Sequence, residues 1–288
     1  MPRAGGTLHA AMSNAPVRPP AGDPNYVHAL AKGLEILSAF AEGEMLGNQE
    51  LVALTGMPKA TVSRLTSTLV SLGYLRVDPS SRKLLMGTRL LGMGASVQRR
   101  IGLQRIARPF MERLSRETDL TVSLATRDRL GMVVLEFIRP PHSVRLVTNI
   151  DAGTVLPIPS TSLGLAYLVA APVKERAQLL QALSKRHGED WPRLRQDVEK
   201  AHLEYERNGY VLTQRSWGRD VTGVGVPLQV DSPKALYAFH CAGPSAAVPM
   251  ARIRKDIGPR LVRMVDDIRV AMQSTQRMRL APPQIHQP

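Results

Sequence analysis

Apolar residues in the first third of the chain recur at helical spacing. Leu30, Leu34, Leu37 and Phe40 or Ala41 predict a helix over 26–42 with those side chains inward. Leu51 and Leu54 predict a short second helix capped by Asn48. Gly56 stands where that helix must stop and the chain must turn, a place that favours positive φ. Pro58 suits the first turn of a third helix, where its missing N–H costs nothing. Val62, Leu65, Leu69 and Leu72 form one stripe on that helix, and Gly73 ends it. Tyr74–Val77 and Arg82–Met86 read as paired strands around the turn residues Asp78-Pro-Ser-Ser. A further helix, capped by Thr88, is expected to reach about Thr118 with a bend near Gly102. Its apolar positions Leu90, Leu91 and Met93 need something to bury them.

From Leu120 the period drops to two. Thr121–Thr126 alternates, Met132–Ile138 is a more continuous apolar strand, and Ser143–Ile150 alternates again. Residues 153–170 start extended and end helical, with Ser160 or Thr161 as the cap. Helices over 173–187 and 192–208 follow, then strands over 209–214, 221–230 and 235–242, then an amphipathic helix over 249–272. The order strands, helices, strands, helix defines an α+β domain, a central antiparallel sheet covered by helices. Residues 1–24, with four prolines from Pro16 to Pro24, read as a disordered lead-in or in part a misassigned translation start. The expected division is 25–87 for the helical domain with its hairpin, 88–100 for a linker helix, 101–273 for the sheet domain and 274–288 for a frayed tail.

Two helices joined by a glycine turn, the second presenting small polar and basic residues, form a helix-turn-helix pattern. Lys59, Ala60, Thr61, Ser63, Arg64 and Ser67 are the candidate DNA-facing set. No acidic residue lies between Leu51 and Val77, which suits a phosphate-lined groove. A hairpin directly after a recognition helix is a wing, and Arg82 and Lys83 would sit beside the backbone or minor groove. Arg64 pairs a guanine edge or clamps a phosphate. The plain alternative is a helical hairpin with a solvated face, in which Thr61 bonds its own backbone.

Composition bounds these readings. A chain of 288 residues suits two domains, and a net charge of +14 favours polyanionic partners without fixing the fold. Residues 1–87 carry 8 Lys/Arg against 6 Asp/Glu, so the excess is not in the motif itself. It peaks over 88–118, where Arg89, Arg99, Arg100, Arg105 and Arg108 either lie over DNA or solvate a long helix; charge runs usually face water. Cys241 is the only cysteine, which excludes a disulfide scaffold and a cysteine-rich zinc site and suits a reducing cytoplasm. No apolar run is long enough for a membrane span, and no export signal core is visible. The seven histidines show no metal-binding spacing, and no phosphate loop or nucleophile elbow is present, so no metal, cofactor or catalytic residue is expected. Cys241 and His240 are strand neighbours that point to opposite faces, so they make no catalytic pair.

The span from Tyr26 to Met272 resembles the IclR family of bacterial transcription regulators. The resemblance rests on Thr55-Gly-Met-Pro-Lys-Ala-Thr-Val-Ser-Arg-Leu-Thr-Ser-Thr-Leu with Gly73-Tyr-Leu, on Gly153…Leu156-Pro-Ile…Ser162-Leu-Gly-Leu-Ala, on Asn208-Gly-Tyr and on Val221…Val224-Gly-Val-Pro. It implies an N-terminal winged helix-turn-helix, a linker helix, a C-terminal effector domain related to GAF and profilin-like sheets, and dimers often paired into tetramers on DNA. The chain departs from the pattern at Pro159, Ser162 and Leu165, and at Ser216-Trp-Gly-Arg-Asp, where many members carry a glutamate upstream of the last motif. These departures surround the expected effector pocket and bear on ligand identity.

The start of the helix after Pro159 is the candidate effector site. Amides of Ser160, Thr161, Ser162 and Leu163 converge there beside hydroxyls and a helix dipole, which suits a small carboxylate. Gly164 would let a ligand or another backbone approach closely. The plain alternative is that Ser160 caps the helix and nothing binds. Asn149, Trp217, Asp220, Val221, Tyr237 and Cys241 are candidate opposing walls, with Arg215 or Arg219 neutralising Asp220. The expected protein is a cytoplasmic DNA-binding regulator on a roughly palindromic double-stranded operator, a homodimer or dimer of dimers, responsive to a small organic acid. The alternatives are a small-molecule enzyme or sensor with an accessory basic module, or an architectural DNA-binding protein.

Overall fold

The computed structural model describes residues 23–40, 45–140, 150–214, 220–231 and 234–280. Its contacts divide the chain into two compact units between Ile101 and Gly102.

In the first unit, helices α1 (His28–Ser38), α2 (Asn48–Thr55) and α3 (Lys59–Ser71) precede strands β1 (Leu75–Val77) and β2 (Leu84–Met86), and helix α4 (Arg89–Ile101) follows. Ile36, Leu51, Val62 and Leu75 are fully buried at its centre, with Phe40, Leu46, Met57, Leu69 and Leu84 around them. The inward faces differ from the expected ones. Phe40, just past α1, is buried as expected, but on α1 itself Ile36 points in, whereas Leu30 and Leu34 are exposed. Leu54 and Leu72 are exposed as well, and the buried slot between Val62 and Leu69 belongs to Thr66. Binary pattern misses Thr66 because its hydroxyl is satisfied inside: Oγ1 lies 3.3 Å from Asn48 Oδ1 and 3.1 Å from the Ser63 carbonyl. Asn48 therefore does not cap α2. Gly47 occupies the cap position, and the Glu50 carboxylate reaches back to its N–H. Gly47 has no side chain, so only this half of a capping box is made. Gly56 has φ +67°, the left-handed conformation that ends α2 and starts the turn into α3.

The wing is a two-stranded antiparallel ribbon in which Leu75 faces Met86 and Val77 faces Leu84. Leu46 and Leu84 exchange both backbone hydrogen bonds at 2.9 Å, which ties the ribbon to the segment entering α2. The long helix expected to reach Thr118 is two helices, because Gly102 takes φ +63°.

The second unit begins with α5 (Leu103–Thr118). A six-stranded sheet follows, of order β5-β4-β3-β8-β7-β6 and antiparallel throughout. The strands are β3 (Thr121–Asp128), β4 (Gly131–Ile138), β5 (Val155–Pro157), β6 (Val211–Thr213), β7 (Val221–Asp231) and β8 (Lys234–Pro244). The strand expected over 143–150 falls almost wholly outside the described residues. Helices α6 (Ser162–Ala170), α7 (Val173–His187) and α8 (Trp191–Asn208) share one hydrophobic core with the sheet. A π turn (Ile253–Ile257) leads into α9 (Gly258–Leu280), which packs with α5, β7 and β8. Strand alternation sorts the side chains. Ser123, Ala125, Ala238 and His240 face α6, whereas Val122, Leu124, Phe239 and Cys241 face the other side.

Helix α6 lies against backbone. A Cβ on Gly164 would stand 2.1 Å from the Ile158 carbonyl oxygen, and one on Gly225 would stand 2.2 Å from that of Ser162. No real side chain survives such distances, so these two positions require glycine. Gly225→Ala should destabilise the second unit by at least about 2 kcal/mol in urea unfolding, since backbone on the far side cannot yield. Gly92→Ala on α4, where a Cβ meets nothing within 4 Å, should be neutral or stabilise by up to about 1 kcal/mol.

Candidate nucleic-acid interface and effector site

Lys59, Ala60, Ser63, Arg64 and Ser67 are all exposed on α3, on the sides away from Val62, Thr66 and Leu69; Thr61 is half-buried. Packing from behind thus leaves a small polar and basic face outward. The wing turn is built by Asp78, whose carboxylate accepts from the N–H groups of Ser80 and Ser81 and from both hydroxyls. Those bonds, the Ser80 hydroxyl first, hold its pKa at about 2, so a negative charge stays at the tip. Arg82 follows, exposed, with φ +58°. Lys83 departs from expectation: its ammonium pairs with Glu50 Oε1 at 2.8 Å. Among the arginines of 88–118, Arg89 donates to the Leu72 carbonyl and stacks over Tyr74 in the first unit, and Arg108 pairs with Glu112 and Glu136 in the second. Arg105 is exposed, and nothing is described of the Arg99 and Arg100 side chains.

At the start of α6 the cap is Thr161. Its Oγ1 accepts from the Gly164 N–H at 3.2 Å and donates to the Pro157 carbonyl at 2.7 Å. Ser160 is half-buried and does not cap the helix. Helix geometry leaves the amides of Ser162 and Leu163 without intrahelical acceptors. Ser162 Oγ lies 2.9 Å from Nδ1 of His240 on β8, and which of the two donates follows the imidazole tautomer. Ser123 stands opposite His240 in the β3–β8 register, so the two side chains share the α6 face. Ser123 is buried, and its Oγ has no hydrogen-bond partner among the described residues. One cluster therefore joins the helix terminus to Ser162, His240 and Ser123.

Several expected members stand elsewhere. Gly164 is closed by the Ile158 backbone and admits no ligand atom at its Cα. Cys241 faces away from α6, with Sγ 4.0 Å from Thr118 Oγ1, and Tyr237 shares its side by alternation. Burial pushes the Cys241 thiol up to about 12, so it is no nucleophile. Val221 shares the parity of Gly223 and Gly225 on the α6 side, and Asp220 is exposed at the strand's entry. Asn149, Trp217, Arg215 and Arg219 lie outside the described residues. Sequence reasoning missed Ser123, and weighed His240 only to reject it as a catalytic partner for Cys241. The available signal was a hydroxyl and an imidazole at inward positions of apolar strands. It also missed the half-buried group Arg127, Tyr167 and Glu175, in which Tyr167 donates to Glu175 at 2.6 Å and Arg127 bonds both. That group satisfies itself and braces α6 against α7 and β3.

A winged helix-turn-helix with an exposed basic recognition helix, followed by a sheet domain with a buried polar cluster, defines a two-domain DNA-binding regulator. Comparison with known proteins agrees. The IclR helix-turn-helix domain matches residues 29–79, and the domain described as bacterial transcriptional regulator IclR C-terminal matches residues 95–270. The chain is 57% identical over 257 residues to the HTH-type transcriptional regulator TsaQ1/TsaQ2 of Comamonas testosteroni, covering 89% of this chain and 92% of that protein. A crystal structure of an IclR family transcriptional regulator from Brucella abortus is 39% identical with a TM-score of 0.74, covering 86% of this chain and 94% of that one. An IclR homolog from Microbacterium hydrocarbonoxydans, solved with 4-hydroxybenzoate, shares the fold at 21% identity and a TM-score of 0.65, covering 87% and 99% of the two chains. This chain belongs to the IclR family of DNA-binding transcriptional regulators, and the families and relatives it matches are regulators rather than enzymes. No helix among the described residues is long and apolar enough to cross a membrane.

Burial holds the His240 imidazole at a pKa of about 4, against an ordinary 6.5. Between those values the unfolded chain takes up a proton that the folded ring refuses, so stability falls as the pH falls through that window. The full loss is of order 3 kcal/mol. His240→Gln should flatten the fall in melting temperature between pH 6.5 and 4 relative to the parent chain, and an unchanged profile would place the acid sensitivity elsewhere.

Proposed function

We propose that this chain binds a double-stranded operator in the cytoplasm and changes its grip when a small organic acid occupies the second unit. Lys59, Ala60, Thr61, Ser63, Arg64 and Ser67 on α3 read the duplex, with Arg82 at the wing. What supports α3 as the recognition helix is its outward face, which is polar and basic at these positions. A homodimer sets two such helices about one duplex turn apart, so the operator is roughly palindromic, and a dimer of dimers extends the footprint. Val27, Leu30 and Leu34 near and on α1, with Leu91 and Met93 on α4, support self-association, since all five are exposed in the single chain.

Ser123 carries the effector half of the reading. A buried hydroxyl without a described partner, beside His240, Ser162 and a helix N-terminus, suits a carboxylate. The acid would accept from the Ser162 and Leu163 amides and from the Ser123 hydroxyl. Its occupancy biases the DNA-binding form through a coupling of typically ~1–3 kcal/mol.

Arg64→Ala should weaken binding to the protein's own upstream DNA at least about tenfold at fixed salt, with the second unit still folded. Unchanged affinity would move recognition off α3. Ser123→Ala, which removes the unpartnered hydroxyl, should blunt the response to small carboxylates while sparing the Thr161 cap and DNA affinity. 4-Hydroxybenzoate, the ligand named for the Microbacterium homolog, belongs in that thermal-shift series with aliphatic acids. If a carboxylate that shifts the parent chain gives the same isotherm with Ser123→Ala, the site beside Ser123 is wrong.

A further inference from the structure

Glu50 is an acidic side chain held against the wing. Its two oxygens are both used: Oε2 accepts from the Gly47 N–H at the cap of α2, and Oε1 takes the Lys83 ammonium at 2.8 Å. The partners are 33 residues apart in sequence, yet their backbones are locked together. Leu46, beside Gly47, exchanges two hydrogen bonds with Leu84, beside Lys83. The carboxylate is fixed at one end by the cap and favoured there by the helix dipole. Geometry therefore presents the acid to Lys83 before any partner arrives. The pair stays open to solvent, with the Lys83 and Glu50 side chains 42% and 47% exposed, so a phosphate can compete for the ammonium.

We propose that Glu50 limits how tightly the wing holds duplex DNA of any sequence, by keeping the Lys83 ammonium off the phosphate backbone. This rests on the reading that α3 and the wing face DNA. An ammonium already paired with a carboxylate adds no released counterion unless that pair breaks. The wing's sequence-independent attraction falls by one cation. The α3 face, with no acid between Leu51 and Val77, keeps its own. Complexes with every sequence lose that contact alike, so the device sets overall affinity and salt dependence. Glu50 is a positioning residue here, acting through Lys83.

Glu50→Gln keeps an acceptor for the Gly47 N–H and removes the charge. The full chain is titrated onto a mixed-sequence duplex of about three helical turns across a salt series, read by fluorescence anisotropy. Glu50→Gln should bind about two- to fivefold more tightly. The slope of log K against log salt should steepen by about 0.9. Lys83→Gln alone should leave both unchanged, and adding it to Glu50→Gln should remove both gains. Equal affinity and slope for Glu50→Gln and parent would overturn the proposal, as would a gain that survives Lys83→Gln. Should Glu50→Gln fail to fold, Lys83→Gln alone decides: a slope shallower by about 0.9 means Lys83 already sits on phosphate and the proposal fails. Arg64→Ala in each background, read on the protein's own upstream DNA, separates the two readings. A binding loss with the Glu50–Lys83 cycle absent sinks only the wing proposal. An intact cycle with no loss from Arg64→Ala sinks only the choice of α3.

Discussion

A helix can approach a sheet only as closely as the side chains between them permit, and in the second unit that limit has been removed. Gly225 on β7 lies against the Ser162 carbonyl of α6, and Gly164 on α6 lies against the Ile158 carbonyl just before the helix, each with no room for a Cβ. The consequence reaches the chemistry directly. Only at that separation does Ser162 Oγ meet His240 Nδ1 at 2.9 Å. Gly223 belongs to the same strip, since a Cβ there would press on the Ser162 hydroxyl and come into contact with the His240 ring. Packing and candidate ligand chemistry are thus one feature. The bare strand that admits the helix also leaves polar groups of α6, β3 and β8 within reach of one another.

The first unit solves a different problem, how to fix a recognition helix in a core too small for a large apolar stripe. Thr66 fills an apolar position with a hydroxyl satisfied by Asn48 and Ser63. The Asn48–Thr66 bond fastens α2 to α3 where a leucine would leave only contact. The Leu46–Leu84 exchange then fastens the wing to the start of α2. Recognition helix, supporting helix and ribbon are joined by directional bonds as well as by burial. In a small unit such bonds define orientation better than hydrophobic contact, which tolerates sliding.

Much of this arrangement was legible in the chain. Apolar runs, period and turn chemistry located α2, α3, the wing, α6, α7, α8 and the long strands within a few residues. Burial follows helical spacing on α7 and α8, whereas α6 is buried on all sides and β3 along its first five residues. Which turn of each helix faced inward was less legible. Leu30 and Leu34 read as core together with Phe40, yet the single chain leaves both leucines exposed and buries Ile36 beside Phe40. A hydrophobic stripe says that a face is covered and does not say by what. The candidate effector cluster was half visible. Helix-start logic pointed to Ser160–Leu163, but Ser123 enters it from 39 residues upstream through the pairing of β3 with β8. Strand order cannot be read from local sequence, so its partners could not be either. The same ignorance of strand facing put Cys241 and Tyr237 on the wrong wall.

Cys241 has one more consequence. Its thiol is sealed in the sheet and stays protonated at every physiological pH. The native fold is therefore blind to maleimides and to mild oxidants. A single new cysteine placed on the wing or on α4 would be the sole reactive thiol in the folded molecule. Spin labels and fluorophores could be installed there one at a time, without first stripping the chain of its own sulfur chemistry.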